Sequence, residues 1–163
     1  MGMSLSFMKR YWPLAGLILI LQILAFLTSY FVTENAVNGW YQSIHKSPLN
    51  PPDWVFAPVW TILYAMLAVA LWHLWRGRKN PTLHKALIFF VVQLVLNYTW
   101  SPVFFGIGAF GLAFIIITTM VGLTVATMML CWNSKRLVTW LLIPYLCWIT
   151  FASHLNFAIM SLN

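Results

Sequence analysis

The sequence predicts an all-α integral membrane protein, a single domain built as a bundle of five transmembrane helices. Three observations carry this prediction. Of the 163 residues, 62% are hydrophobic and 7% charged, and the mean hydropathy is +0.84, beyond what a water-soluble domain sustains. The apolar residues gather into five runs, each longer than the ~18 residues that cross a hydrocarbon core about 30 Å thick. No run alternates with period two as a membrane barrel strand would, so helices are the way this backbone satisfies itself in lipid.

The first run, residues 11–32, follows Lys9 and Arg10. It is too long for the core of a signal peptide and lacks a small-residue cleavage site, so it reads as a retained helix. Ahead of it, Gly2 with Ser4 and Ser6 fits an acylation motif, an anchor that adds little to a chain crossing the membrane five times. A long loop, residues 33–53, comes next and is read as a lid. It holds both acidic residues, Glu34 and Asp53, with His45 and Lys46. It leads into the stretch Ser47-Pro-Leu-Asn-Pro-Pro-Asp-Trp-Val-Phe-Ala-Pro-Val-Trp60. The prolines remove amide donors and favour extended geometry, which makes a stiff turn; Asp53 is then placed to cap the second helix, and Pro58 is tolerated near its start. The second and third runs cover residues 54–75 and 86–105, the fourth and fifth residues 109–132 and 137–160. The third and fourth are nearly continuous and are separated at Gly106-Ile-Gly108-Ala-Phe-Gly111, because one helix of their combined length would overshoot the bilayer.

A net charge of +7 would suggest nucleic acid in a soluble protein. Here the nine basic residues sit between apolar runs, where they report topology, and no nucleic-acid partner is expected. Lys9, Arg10, Arg76, Arg78, Lys79, Lys85, Lys135 and Arg136 fall on one side and Lys46 alone on the other. This places the amino terminus in the cytoplasm and the carboxyl terminus outside. No Asp, Glu, Lys or Arg lies within the runs and no inverted repeat is visible, which argues against an ion-coupled transporter. His154, in the fifth run, is read as a hydrogen-bonded helix-contact residue. Cys131 and Cys147 form neither a disulfide framework nor a metal-ligand spacing, so no metal site is expected.

Ten tryptophans remain to be placed. Trp12, Trp72, Trp75, Trp132 and Trp140 fall near one membrane interface and Trp40 and Trp54 near the other, as belt anchors do. Trp60, Trp100 and Trp148 lie inside the second, third and fifth runs. At a rise of ~1.5 Å per residue they sit about 9, 8 and 18 Å below the outer helix ends. Helical spacing gives them companions: Tyr64 four after Trp60, Asn97 three before Trp100, Pro144 and Ala152 four on either side of Trp148, then Leu155 and Asn156. Two readings follow from spacing alone, a set of close-packed bundle contacts or an aromatic-walled pocket with few polar groups beneath the first loop.

Three ordered motifs carry a resemblance. Trp40-Tyr-Gln-Ser-Ile-His-Lys-Ser-Pro-Leu-Asn-Pro-Pro-Asp-Trp-Val-Phe-Ala-Pro-Val-Trp60, Leu96-Asn-Tyr-Thr-Trp-Ser-Pro-Val-Phe-Phe105 and Pro144-Tyr-Leu-Cys-Trp-Ile-Thr-Phe-Ala-Ser-His-Leu-Asn156 resemble the translocator protein family, also called tryptophan-rich sensory proteins or peripheral-type benzodiazepine receptors, in its bacterial type. The resemblance runs through all five helices. It implies a five-helix bundle, commonly a homodimer, with a pocket under the first loop that takes porphyrins such as protoporphyrin IX and isoquinoline carboxamide or benzodiazepine ligands. Carried over by position, it puts ligand contacts at Trp40, Pro48, Pro52, Trp60, Tyr64, Asn97, Trp100, Trp148, Ala152 and Leu155. Sterol-binding relatives carry an apolar-Tyr-Arg pattern late in the fifth helix, where this chain has Leu155-Asn-Phe157 and no later Arg or Lys, so sterol is not an expected ligand. Leu49 and Asn50 replace chemistry in which relatives often have a further tryptophan.

Three functional readings follow from the resemblance. The first is a membrane receptor or carrier of tetrapyrroles and other apolar aromatic molecules, with a role in porphyrin or stress regulation and no required cofactor. The second is light- and oxygen-dependent breakdown of porphyrin at Trp60 and Trp148, in which an excited macrocycle oxidises a nearby indole and no conventional catalytic site is needed. The third is regulation through protein partners.

Overall fold

The computed structural model describes residues 5–163, with side chains from residue 11 onward. Gly2 and Ser4 of the acylation motif and the side chains of Ser6, Lys9 and Arg10 lie outside the described residues. Five helices are long and apolar enough to cross a membrane, and together they make an integral, multi-pass bundle.

The first span is longer than its hydropathy suggests. Helix α1 (Leu5–Thr28) passes through a π turn, Ser29–Thr33, into a last short segment, α2 (Glu34–Val37), without leaving helical geometry. The loop therefore begins at Asn38 rather than Thr33, and Glu34 belongs to the helix. The π turn faces a second one, Pro102–Gly106, and the two are joined by a 2.8 Å hydrogen bond between the Thr33 and Ser101 hydroxyls. Such turns admit one extra residue and commonly stand where a helix is re-aimed.

Helix α3 (Phe56–Gly77) follows a single 3₁₀ turn, Asp53–Val55. Asp53 does not cap it. Its carboxylate instead accepts a 2.9 Å bond from the Gln42 side-chain amide, so the acid fastens the loop to itself. Helix α4 (Pro81–Ser101) starts five residues before the apolar run does, because Asn80 caps it through the amides of Thr82 and Leu83 and Pro81 occupies the first turn. Lys85 is thus inside the helix rather than in the connection. The α3–α4 turn is tight, since a Cβ on Gly77 would stand 2.6 Å from the Leu83 side chain.

Gly108, at φ +65°, turns the chain from the π turn into α5 (Phe110–Cys131). Four threonines of α5 return their hydroxyls to carbonyls of their own helix: Thr118, Thr119, Thr124 and Thr127. They place polar atoms in an apolar span without needing a partner helix. Helix α6 (Arg136–Leu162) runs unbroken through Pro144.

Around the bundle α1 packs on α3, α3 on α6, α6 on α5 and α5 on α4, while α4 also meets α3 and α1. Ala68, Ala70 and Ala86 are fully buried and let α3 and α4 approach closely, between Leu67, Leu74, Phe90, Met120, Leu142 and Ile149. The bundle has two chemically different ends. Arg76, Arg78, Lys79, Lys85, Lys135 and Arg136 lie at one, hereafter the basic end; the long loop, Gly108 and the end of α6 lie at the other.

Candidate functional site

At the loop end the aromatic side chains form two groups. The first lies between α3 and α6. Trp60 and Trp148 meet edge to face at 6.4 Å between ring centroids, with Phe56 at 5.7 Å and Phe151 at 5.9 Å from Trp148, and Tyr64 at 5.5 Å from Trp60. A groove of about 440 Å³ adjoins this group. It is lined by Val59, Ile62 and Leu63 of α3 and Pro144, Cys147, Trp148 and Phe151 of α6. The Trp148 indole N–H is buried and has no hydrogen-bond partner among the described residues.

The second group sits under the loop. Trp40 lies 5.6 Å from Phe110 and 6.5 Å from both Phe104 and Phe105, and Trp100 stacks on Phe104 at 4.9 Å. Trp100 is held by a polar clamp: its N–H donates to Asn156 at 3.1 Å, and the Asn156 amide donates to the Phe110 carbonyl at 3.0 Å. One asparagine thereby fixes α4, α5 and α6 together.

Below the first group lies a buried hydrogen-bond chain. The Tyr64 hydroxyl donates to Asn97, the Asn97 amide to the Tyr145 hydroxyl at 3.0 Å, and the Tyr145 hydroxyl to the Gln93 carbonyl oxygen at 2.7 Å. Tyr98 stacks on Tyr64 at 5.3 Å and donates to the Leu21 carbonyl at 2.9 Å, which brings α1 into the same network. With little water to compete, these bonds set the relative register of α3, α4 and α6. They also support Trp60 from beneath.

The loop is internally tied. Tyr41 donates to Asn50 at 3.2 Å and lies beneath the Lys46 ammonium at 4.0 Å. Burial, reinforced by the nearby Asp53 carboxylate, raises the Tyr41 phenol above its ordinary range. The Asn163 side chain then grips His45 in both directions, accepting from its amide at 3.0 Å and donating to its carbonyl at 2.9 Å, while also donating to Ile159 at 2.9 Å. This latch fastens the loop to the last turn of α6.

Of the residues expected at the site, Trp60, Tyr64 and Trp148 share one aromatic group, Asn97 bonds Tyr64, and Ala152 packs against the same core. Trp40 and Trp100 belong to the loop-side group. Leu155 is buried, whereas Pro48 and Pro52 stand exposed on the loop. His154 is exposed on α6 rather than packed between helices. Sequence reasoning missed Gln93, Tyr145 and the Asn163 latch. Gln93 and Asn97 stand one turn apart on α4, and that polar pair in an apolar run was the available signal. Of the interfacial tryptophans, Trp12, Trp54, Trp75, Trp132 and Trp140 are exposed, Trp54 by 75%, as membrane anchors require.

A multi-pass bundle of five helices, with ten tryptophans divided between its two ends and an edge-to-face Trp60–Trp148 pair between α3 and α6, defines a tryptophan-rich membrane protein. The profile of the TspO/MBR family matches residues 17–162, and the chain belongs to that family. It is similar to the tryptophan-rich protein TspO of Chlorobaculum tepidum, 39% identical over 80% of this chain and 84% of the relative. The TspO of Archaeoglobus fulgidus is 36% identical over 92% and 96%, and the human translocator protein 31% identical over 90% and 88%.

Proposed function

We propose that this protein is a membrane receptor or carrier that binds a flat apolar macrocycle, a tetrapyrrole such as protoporphyrin IX, against Trp60 and Trp148, and that the same site accepts isoquinoline- and benzodiazepine-type molecules. The observation that carries this reading is the edge-to-face Trp60–Trp148 pair beside an apolar groove between α3 and α6. Indole faces stack on such a macrocycle, and the surrounding Phe56, Phe151 and Val59 exclude water. The unpartnered Trp148 N–H supplies a donor for a ligand carboxylate or carbonyl. Protoporphyrin quenching of tryptophan fluorescence tests the reading in the Trp60→Phe, Trp148→Phe double variant. Binding weakens on this reading; unchanged affinity and stoichiometry would overturn it.

A second reading, light- and oxygen-dependent porphyrin breakdown, draws on the same contact, because an excited macrocycle against an indole has its electron donor within van der Waals reach and dioxygen is the oxidant that takes up the electrons. Porphyrin absorbance followed under light and in darkness separates it from binding. Equal loss with the double variant would leave ordinary photobleaching as the explanation.

Orientation and assembly belong to the same proposal. The basic end faces the cytoplasm, as the count of six described cations against Lys46 supports. A maleimide reagent that cannot cross membranes reacts with Lys79→Cys only after lysis if so. The homodimer is measured as twice the chain mass in lipid discs; Gly122, with open space around it on α5, leaves room for a second helix.

A further inference from the structure

The basic end holds a second groove, of about 420 Å³, far from the tryptophan pair. Pro13 and Leu17 of α1, Leu71, Trp72 and Trp75 of α3 and Val91 of α4 line it. Two of these walls carry a cation. The Arg76 guanidinium lies over the Trp72 ring at 5.4 Å and that of Arg78 over the Trp75 ring at 4.3 Å. An arginine stacked on an indole still presents its in-plane N–H groups outward. Arg78 spends one of them on the Trp75 carbonyl, at 2.7 Å. Lys79 follows in the same turn, and Lys85 stands in the first part of α4.

These cations have no carboxylate to pair with. The chain contains two acidic side chains, Glu34 and Asp53, and both lie at the loop end. An apolar groove that runs up to unpaired guanidinium groups at a membrane boundary is complementary to one kind of molecule: an acyl chain joined to a phosphate. A free phosphate would leave the groove unused, and a zwitterionic lipid brings its own ammonium to the rim.

We propose that this groove is a binding site for an anionic phospholipid, with an acyl chain between α1, α3 and α4 and the phosphate held by Arg76 and Arg78. The tight turn at Gly77 and the Asn80 cap fix the two arginines relative to the groove. The aromatic faces beneath them restrict the guanidinium planes, so the site offers more than diffuse attraction to a charged surface.

The test uses the full chain purified in mild detergent, with dioleoyl phosphatidylglycerol and dioleoyl phosphatidylcholine as probes and bound lipid counted by native mass spectrometry. Phosphatidylglycerol should be retained about thirtyfold more tightly at low salt, from two arginines near a surface charge. Arg76→Gln with Arg78→Gln should reduce that preference to less than threefold, with far-ultraviolet circular dichroism unchanged. Val91→Phe, which narrows the groove and leaves both arginines, should weaken retention of phosphatidylglycerol. Equal retention of the two lipids by the unaltered protein would overturn the proposal. So would a preference that survives loss of both arginines, or full competition by glycerol phosphate, which has no chain to bury.

Discussion

Asn97 is the residue on which the buried polar chain depends, and Asn97→Ala is the perturbation that measures it. The side chain accepts the Tyr64 proton and donates to Tyr145, so truncation breaks two interhelical hydrogen bonds and leaves the Tyr64 hydroxyl only the neighbouring Tyr98 hydroxyl to donate to. Tyr145 keeps its own bond to Gln93. Interhelical hydrogen bonds in bilayers average about 0.6 kcal/mol, which puts the two at roughly 1.2 kcal/mol. Moving a buried donor to a poorer acceptor adds a part of the roughly 1 to 3 kcal/mol that a fully stranded one costs. The expected loss is therefore about 1 to 3 kcal/mol, read as the shift in reversible unfolding by dodecyl sulfate in mixed micelles. Tyr64→Phe removes the donor that Asn97→Ala displaces, so the double variant should be less destabilised than the sum of the singles by about 1 kcal/mol. Additive effects, or a loss below about 0.5 kcal/mol for Asn97→Ala, would refute the view that this chain holds the three helices in register. Since Tyr64 also supports Trp60 at 5.5 Å, the same variant should broaden the tryptophan emission.

Three further expectations follow from particular contacts. Asn163→Ala removes both hydrogen bonds to His45, and amide hydrogen exchange across residues 41–50 should quicken about tenfold, at roughly 1.4 kcal/mol for the pair; unchanged exchange would mean that the latch does not hold the loop. Tyr41 is kept neutral in the folded state, so its contribution is intact below the ordinary phenol value of 10.0 and declines as the pH rises above it, where the unfolded chain ionises first. Tyr41→Phe should flatten that alkaline loss, and Asp53→Asn should lower the pH at which the phenol absorbance appears. Gly77→Ala pushes a methyl against Leu83 and should cost about 1 kcal/mol, which Leu83→Ala in the same chain should relieve, as thermal denaturation in detergent would record.

Hydropathy and length made the five spans legible, because crossing a bilayer imposes a requirement that single residues rarely override. Helix ends were less legible. The first span reads on to Val37 through a π turn, a geometry without a composition of its own, and α4 starts at Pro81 because the Asn80 cap outweighs the polarity of Thr82, His84 and Lys85. The motifs gave the identity of the crowded aromatic residues; which ones touch depends on the helix order around the bundle. Trp60 and Trp148 are brought together by the α3–α6 contact, and Trp100 is drawn to the loop-side group by Asn156. Nor does a sequence show that a terminal asparagine side chain reaches a loop 118 residues away.

The first span has one last consequence. Among the described residues of α1, Leu21 is the buried one, and the remainder of that helix is held mainly against α3, more lightly against α4, and by the Gln22 and Tyr98 hydrogen bonds. A ribosome nevertheless makes it before α3 to α6. It must wait in the bilayer as a self-sufficient helix while its partners emerge, and it contributes little to the interior that α3 to α6 then enclose. Insertion and assembly are thus separate events for this protein, and α1 is the span expected to join the finished bundle late and to leave it first under mechanical pulling.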